Sequence, residues 1–344
     1  AKPISAGFPA ERPERWPING TAFYYWPEDS KTSTMYEWNF NVQRELPANL
    51  VMTVAYVGAK GTYVDVVNLN INQATPGPGP VVNRRPYPNL SDAIGVVPWG
   101  NSSYNSLQTT VDRRMGAIRV TGAWTWSHSI DNTSGESSNS PIQDSRNLAA
   151  QRASSTFDVR HKLALSGTWE MPFGRRKRWA GTAPRAVDWA VGGWQVNSIV
   201  TLLTGLPFTP VMQTSGLNTG TGSQFPNRIA SGVLPSGERS VDRWFDTSAF
   251  VAPPPFTFGN SGRNILRGPG TRQVDLSLFK SFAFAEKRRV EFRAEAFNAF
   301  NTPQFNNPNA SIGFTGAGRI TSAGSPTVYQ RTSRQIQLAL KLYF

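Results

Sequence analysis

Apolar and polar residues alternate with period two along segments of up to about ten residues, and this alternation recurs through the chain. Successive side chains of a strand point to opposite faces, so each segment predicts a strand with one apolar and one polar face. The last segment shows the pattern most clearly, because the apolar residues from Ile336 to Phe344 occupy every second position. We count about nine such segments, at 36–43, 50–56, 107–112, 118–126, 159–169, 194–202, 273–282, 290–296 and 335–344.

The links between these segments alternate between short and long. Three short links and one moderate link lie at 47–49, 115–116, 285–287 and 172–189. Four long links, rich in Gly, Pro, Asn and Ser, lie at 58–103, 131–155, 205–270 and 301–333. Structureless loops longer than about 15 residues are uncommon in compact soluble domains. Outer-membrane barrels, by contrast, have short periplasmic turns and long extracellular loops.

We therefore predict an all-β chain that forms part of a transmembrane antiparallel β-barrel, with about nine strands and a candidate tenth at 23–26 (FYYW). Closed sheets pair every backbone N–H and C=O group inside a bilayer, and a crossing strand needs about 9–11 residues. The apolar faces then meet lipid, and the polar faces line the lumen. Aromatic residues near strand ends suit the interfacial girdles of a barrel: Trp124, Trp126, Trp169, Trp194 and Tyr343. The alternative is a soluble β-sandwich that buries the same aromatic residues in its core.

Composition and charge exclude several other classes of protein. The chain has 35 Lys and Arg against 22 Asp and Glu, a net charge of +13, but the basic residues are scattered and do not predict nucleic-acid binding. Cysteine is absent, which excludes disulfide scaffolds, thiolate metal sites and cysteine nucleophiles. No run of ~18 apolar residues predicts a membrane-spanning helix. Residues 1–5 lack the apolar core of a signal peptide, so we expect a processed protein or a piece of a longer one.

The sequence offers no convincing catalytic or metal site. In the segment SHSID at 127–131, the two serines share a strand face that His128 does not, so no local triad forms. The other histidine, His161, shares the apolar phase of its strand and is expected near a membrane interface. We therefore predict no catalytic residues, no metal and no cofactor, and we expect that the protein is not an enzyme.

Two clusters of charged residues each have a structural and a functional interpretation. Glu291 and Glu295 flank Arg293 on one strand face, where we expect a charge network in the lumen and not acid–base chemistry. The basic run Arg175 to Arg178 lies on a predicted periplasmic turn, where it meets either lipid phosphates or water. The sequence does not decide between these two environments.

A succession of short motifs resembles the barrel of Oar-like TonB-dependent outer-membrane receptors. Each motif is weak alone, but their order along nearly the whole chain is specific. The motifs are WNFNVQREL (38–46), AYVGAKGT (55–62), SYNSL (103–107), TWSHSIDN (125–132), FDVRHKLALSGTWEMPFG (157–174), GGWQVNSIVTLLTGLPFTP (192–210), VDRWFDTSAF (241–250), FGNSGRNILRGPG (258–270), FRAEAFNAFNTPQFNNPN (292–309) and LALKLYF (338–344).

The resemblance implies a receptor in the cell outer membrane whose barrel has ~22 strands and holds an N-terminal plug. Residues 1–344 would be the C-terminal part of that barrel, with the plug and the TonB-contacting segment outside this chain. The implied partners are outer-membrane lipid, TonB and the plug, the barrel assembly machinery, and a substrate whose identity the sequence leaves open. A passive structural barrel, or a secreted sandwich that binds carbohydrate, is the alternative.

Two sets of residues are candidates for recognition. The final strand looks like the signal read by the barrel assembly machinery, carried by Ile336, Leu338, Leu340, Leu342 and Phe344. Binding residues concentrate in loops on rigid scaffolds, and the long links offer five aromatic or cationic candidates for ligand contact: Trp99, Arg243, Trp244, Phe245 and Phe250.

Overall fold

The structure is a computed structural model that describes residues 23–28, 30–134, 141–284, 288–324 and 332–344. Nine long strands dominate the described part of the chain, and shorter elements lie in the links between some of them. The long strands are β2 (Thr34–Leu46), β3 (Leu50–Asn70), β4 (Ala93–Arg113), β5 (Ile118–Asp131), β7 (His161–Glu170), β8 (Trp194–Leu203), β14 (Thr271–Ala283), β15 (Arg289–Phe297) and β17 (Gln335–Tyr343).

Shorter elements fill the links. The short strands are β1 (Phe23–Tyr25), β6 (Ala153–Ser154), β9 (Pro207–Phe208), β10 (Val211–Met212), β11 (Asn227–Arg228), β12 (Phe250–Val251), β13 (Leu266–Arg267) and β16 (Ser311–Ile312). The helices are α1 (Arg185–Val191) and the 3-10 turns Val81–Arg84, Leu148–Gln151, Ser236–Glu238 and Thr247–Ala249. No helix among the described residues has both the length and the apolarity needed to cross a membrane.

Each long strand pairs antiparallel with the next, in one sheet of order β17-β15-β14-β8-β7-β5-β4-β3-β2. The predicted alternation of links is confirmed, because the long links all leave from one end of this sheet and the short ones from the other. We call these the extracellular and periplasmic ends. The meander is one sheet and not two packed sheets, so the β-sandwich alternative is wrong.

The register places apolar side chains in rows on one face of the sheet. One row crosses six strands through Leu338, Ala294, Leu278, Val196, Trp169 and Ile118. The adjacent row on the opposite face is polar and runs through Gln337, Glu295, Ser277, Asn197, Thr168 and Arg119. An apolar outward face and a polar inward face are what a barrel in lipid requires. We call these the lipid face and the lumen face.

Two expectations about the first strands are wrong in detail. The link predicted at 58–103 is much shorter, because β3 continues to Asn70 and β4 begins at Ala93. Register shifts between residues 62 and 69 interrupt the alternation there, so the sequence pattern fades although the pairing continues. The segment 23–26 does not supply a tenth crossing strand, since β1 pairs in parallel with the extracellular end of β4.

The extracellular links fold into a packed region with two hydrophobic clusters. One contains Phe208, Phe245, Ala249, Phe250, Leu266 and Ile312. The other contains Val66, Leu69 and Val97 on the extensions of β3 and β4. We call this part of the molecule the extracellular region.

Both outer strands of the sheet have a free edge within the described residues. There, β2 pairs only with β3, and β17 pairs only with β15. The sheet is therefore an open segment of a barrel wall.

Candidate functional site

Side-chain amides bind the extracellular links to one another. The Gln143 amide donates to the carbonyl of Gly259 at 2.8 Å and accepts from the backbone N–H of Phe225 at 3.0 Å. Gln73 acts in the same way, donating to the Gln143 carbonyl at 2.9 Å and accepting from the Ser145 N–H at 2.8 Å. Three different links are thus held together by groups that are mostly buried, and any site between them is pre-organised.

A buried arginine anchors the same region to the end of β5. The Arg263 side chain is fully buried and forms an ion pair with the Asp131 carboxylate. It also donates to the Asp131 carbonyl at 2.7 Å, to the Gln151 carbonyl at 2.9 Å and to Ser134 Oγ at 3.0 Å. These partners satisfy both charges, as burial requires.

A second buried carboxylate, Asp158, repeats this arrangement nearby. It pairs with Arg267 and, at 3.1 Å, with Arg160. It also accepts the backbone N–H of Ser129 at 2.7 Å. Two acid–arginine contacts with buried carboxylates therefore join the link before β14 to the end of β5 and to the link after β5.

A cavity of about 710 Å³ lies at the extracellular ends of β3 and β4, and we take it as the candidate site. Its volume suits a small-molecule ligand. Its walls combine cations with apolar surface, and its lining residues are Lys60, Ile71, Trp99, Asn101, Asn132, Ser145, Arg146, Leu148, Ala149 and Arg152.

The electrostatics of this cavity are positive. Lys60, Arg146 and Arg152 have no carboxylate within ion-pair distance among the described residues. Lys60 donates to the Asn101 side chain at 3.5 Å, and Arg146 donates to the Gln73 carbonyl. Burial and the neighbouring Tyr87 raise the pKa of the Tyr25 phenol, which packs on the smaller cluster together with Ile71 and Leu148 of the cavity wall. The cavity is therefore arranged to receive negative charge beside the Trp99 indole.

Of the five candidate ligand contacts, the structure brings one to this cavity. Trp99 lines it and is 51% exposed, on β4 instead of in a loop. Phe245 and Phe250 are only 2% and 3% exposed, because their rings pack edge to face at 5.9 Å in the core of the extracellular region. Their observed contacts are those of core residues.

The remaining two candidates lie beside that core. The Trp244 indole is partly buried and donates to the Arg267 carbonyl at 2.9 Å. Arg243 is exposed, with Asp246 at 3.8 Å. A ligand role for Arg243 and Trp244 stays a prediction.

Sequence reasoning missed the cations of the cavity. Lys60, Arg146 and Arg152 are separated along the chain and meet only because the 3-10 turn Leu148–Gln151 folds back towards β3 and β4. The available signal was weak: two arginines flank an apolar turn in a link that is otherwise polar.

Four of the five residues of the predicted assembly signal share the lipid face of β17, and the fifth follows the strand. Ile336, Leu338, Leu340 and Leu342 are all well exposed there, and Phe344 is 95% exposed beyond the end of the strand. The geometry is that of an apolar edge strand open to lipid and to a pairing partner. Recognition by the assembly machinery stays a prediction.

The two histidines considered for chemistry contact neighbouring side chains. His128 contacts Ser154 at 3.2 Å and Arg160 at 2.9 Å instead of forming a triad. His161 stacks on Trp124 and Trp126, with ring centroids 6.0 and 6.5 Å away, on the lipid face. No group of three or more His, Asp or Glu residues there is placed to hold a metal ion.

Part of the predicted lumen charge network is present: Glu291 and Arg293 form an ion pair, whereas Glu295 has no ion pair among the described residues. The Arg293 guanidinium donates to Glu291 at 2.6 Å, and the Tyr343 hydroxyl donates to the same carboxylate at 3.3 Å. Arg293 also lies over the ring of Phe279, 4.5 Å from its centroid. These contacts link β14, β15 and β17 on the lumen face.

Comparison with known proteins gives the chain its family. Two solved structures resemble it at low identity: the closed form of the ferric-catecholate import receptor Fiu from E. coli K12 (13% identity, TM-score 0.44) and the outer membrane transporter YddB from Escherichia coli (9% identity, TM-score 0.49). The matches cover 92% and 95% of this chain but only 28% and 34% of those two, so the chain spans about a third of their length or less. No curated protein matches. Residues 1–337 match the outer membrane beta barrel domain, and the chain therefore belongs to this family of the outer membrane.

Proposed function

We propose that this chain forms the C-terminal part of the barrel of an Oar-like TonB-dependent receptor. In this proposal the extracellular region binds a substrate, and a plug from another part of the protein closes the lumen through which the substrate passes. The observation that carries the proposal is the open sheet with a polar lumen face. Unpaired strand edges are very unfavourable in hydrocarbon, so further strands must pair with β2 and β17. A larger barrel with a wet or plugged interior supplies them.

The cavity beside Trp99 supports the substrate-binding part of the proposal. Lys60, Arg146 and Arg152 place uncompensated positive charge around it, within the described residues, and Trp99 offers a flat apolar surface. We therefore propose a substrate with anionic groups next to a planar or apolar part. We propose no catalytic step, because the described side chains offer no set that would perform one.

The test is the size and behaviour of the protein in its native membrane. Outer membranes are probed with an antibody against the extracellular region, and cross-linking to TonB is measured in energised cells. We expect a heat-modifiable band much larger than a 344-residue chain, and a TonB adduct that disappears when the plug-side segment is deleted.

Two outcomes would contradict the proposal. A heat-modifiable band of the size of this chain alone, without a TonB adduct, would indicate a passive barrel that closes by self-association. If the full-size protein formed no TonB adduct in energised cells, the proposed transport mechanism would be contradicted. The assignment of the chain to a larger barrel would stand.

A further inference from the structure

The periplasmic link between β7 and β8 is folded and carries the basic run of the sequence on a small loop. Gly174 donates to the Trp179 carbonyl, and Trp179 donates to the Pro172 carbonyl, both at 3.0 Å. The rings of Phe173 and Trp179 pack at 5.0 Å across this loop. The loop therefore has a defined shape, and all four cations from Arg175 to Arg178 are exposed on it.

Helix α1, in the same link, lies against the periplasmic rim of the lipid face. The Trp189 indole contacts Phe282 of that face at 5.8 Å between ring centroids. Lys280, also on the lipid face, is covered and donates to the carbonyls of Ala190 and Gly192 at the end of α1. The side chain of Asp188 accepts the Arg175 N–H at 2.6 Å, which joins the helix to the basic loop.

Between the loop, the helix and β14 is a cleft of about 910 Å³ with two unlike walls. Arg175, Lys177 and Arg185 form the cationic wall, and of their charged side-chain groups only that of Lys177 has a carboxylate within ion-pair distance in the described part of the chain, Glu170 at 3.5 Å. The Asp188 carboxylate also lines the cleft, where it accepts the Arg175 backbone N–H. The apolar wall consists of Trp189, Phe282 and Phe284, and Trp189 and Phe284 are about half exposed.

We propose that this cleft binds the headgroup of an anionic phospholipid in the periplasmic leaflet. A phosphate fits the cationic wall, because Arg and Lys pair well with phosphate oxygens, and an acyl chain continues along the apolar wall onto the lipid face. Indole rings at this depth are typical of the membrane–water interface, and basic pockets beside membrane-spanning elements select anionic headgroups. The proposal depends on the outer-membrane location of the chain and not on transport.

The geometry favours a lipid over an acidic protein as the ligand. The cationic wall and the exposed Trp189 indole line the same cleft, where α1 meets the lipid face. A soluble acidic partner would use the charges but would leave the apolar wall unoccupied. An anionic lipid uses both walls at once.

The experiment compares lipid retention by the intact, delipidated protein and two charge-matched variants. Each protein is incubated with an equal mixture of phosphatidylglycerol and phosphatidylcholine of identical acyl chains, and the bound lipids are counted by native mass spectrometry. The test variant is Arg175→Gln/Arg185→Gln, which removes two cations of the cleft but keeps the Arg175 N–H bond to Asp188. The control is Arg176→Gln/Arg178→Gln, which removes two cations of the same loop that do not line the cleft.

We expect the native protein and the control to prefer phosphatidylglycerol. In the test variant, the ratio of bound phosphatidylglycerol to bound phosphatidylcholine should fall at least about tenfold. Heat-modifiable mobility of every variant verifies the barrel. Equal loss in both variants would overturn the proposal, since it would indicate a diffuse charge effect. Equal retention of the two lipids by the native protein, or displacement of phosphatidylglycerol by millimolar inorganic phosphate, would overturn it as well.

Discussion

The membrane-spanning sheet and the extracellular region both keep apolar side chains away from water, but they do so in opposite ways. The extracellular region buries these side chains inside, and the sheet places them on its outer face. Every buried apolar side chain in the described part of the chain belongs to the extracellular region or to the extensions of β3 and β4 that enter it. The sheet, by contrast, displays its large apolar residues on the outside, with Leu340 as much as 72% exposed. Water surrounds one region and lipid the other, so only the extracellular region needs a core of its own.

Polar groups show the same inversion. The extracellular region buries Arg263, Asp131 and Asp158 and compensates each with specific partners. On the sheet, most polar side chains form the lumen face, and Lys280 on the lipid face is covered by the end of α1. Removal of a charge should therefore be costly in the extracellular region, and addition of a charge should be costly on the lipid face.

The largest effect is expected from Arg263→Ala. The substitution leaves the Asp131 carboxylate buried without its arginine, which costs about 3–5 kcal/mol. Hydrogen exchange of the intact protein should show that loss as faster opening of amides near residues 131–134 and 261–267. The heat-modifiable mobility of the barrel should remain, because the contact lies outside the sheet.

The double variant Arg263→Met/Asp131→Leu is the matched control for this prediction. It removes both charges, so no buried charge is left unpaired, and most of the stability should return. A double variant as unstable as Arg263→Ala would show that shape, and not charge pairing, holds these links together.

The sequence predicts the sheet well, because a barrel strand in lipid alternates apolar side chains facing lipid with polar side chains facing the lumen. Leu338 and Gln337 had to lie on opposite faces of one strand, and the register confirms this across six strands. The rule fails where the strands leave the membrane. Tyr63 and Asn68 adopt positive φ of 56° and 62°, which breaks the alternation that would have revealed the extension of β3.

The extracellular region and the periplasmic cleft were harder to predict. An aromatic residue in a long link has the same sequence signature whether it binds a ligand, as proposed for Trp99, or packs in a core, as Phe245 does. Helix α1 has seven residues, too few to display a helical period within the moderate link. Both sites depend on contacts between distant segments, which no local pattern encodes.

An intermediate effect is expected from a charge on the lipid face. Leu165 lies in the middle of β7, opposite Val200 on β8. Leu165→Arg should destabilise the intact protein by about 2–4 kcal/mol if it lies near the bilayer midplane. Urea unfolding in lipid bilayers measures this change.

Ser166→Arg is the control on the next residue, with its side chain on the lumen face. We expect a much smaller change there, because the lumen face is already polar. Equal destabilisation by the two variants would mean that the faces are assigned incorrectly.

The smallest effect is expected from an exposed ion pair in the same extracellular region as Arg263. Arg319 and Asp242 are 2.8 Å apart, but their side chains are 55% and 78% exposed. Water already solvates both charges and salt screens them, so Arg319→Gln should cost only about 0–1 kcal/mol of stability, less still in high salt.

A double-mutant cycle with Asp242→Asn, read by hydrogen exchange, gives the pair's own contribution. The backbone bond from Ile320 to Val241, 2.7 Å long, is expected to hold these two links together in every variant. A coupling above 2 kcal/mol would mean that this surface is covered by a neighbouring segment or molecule.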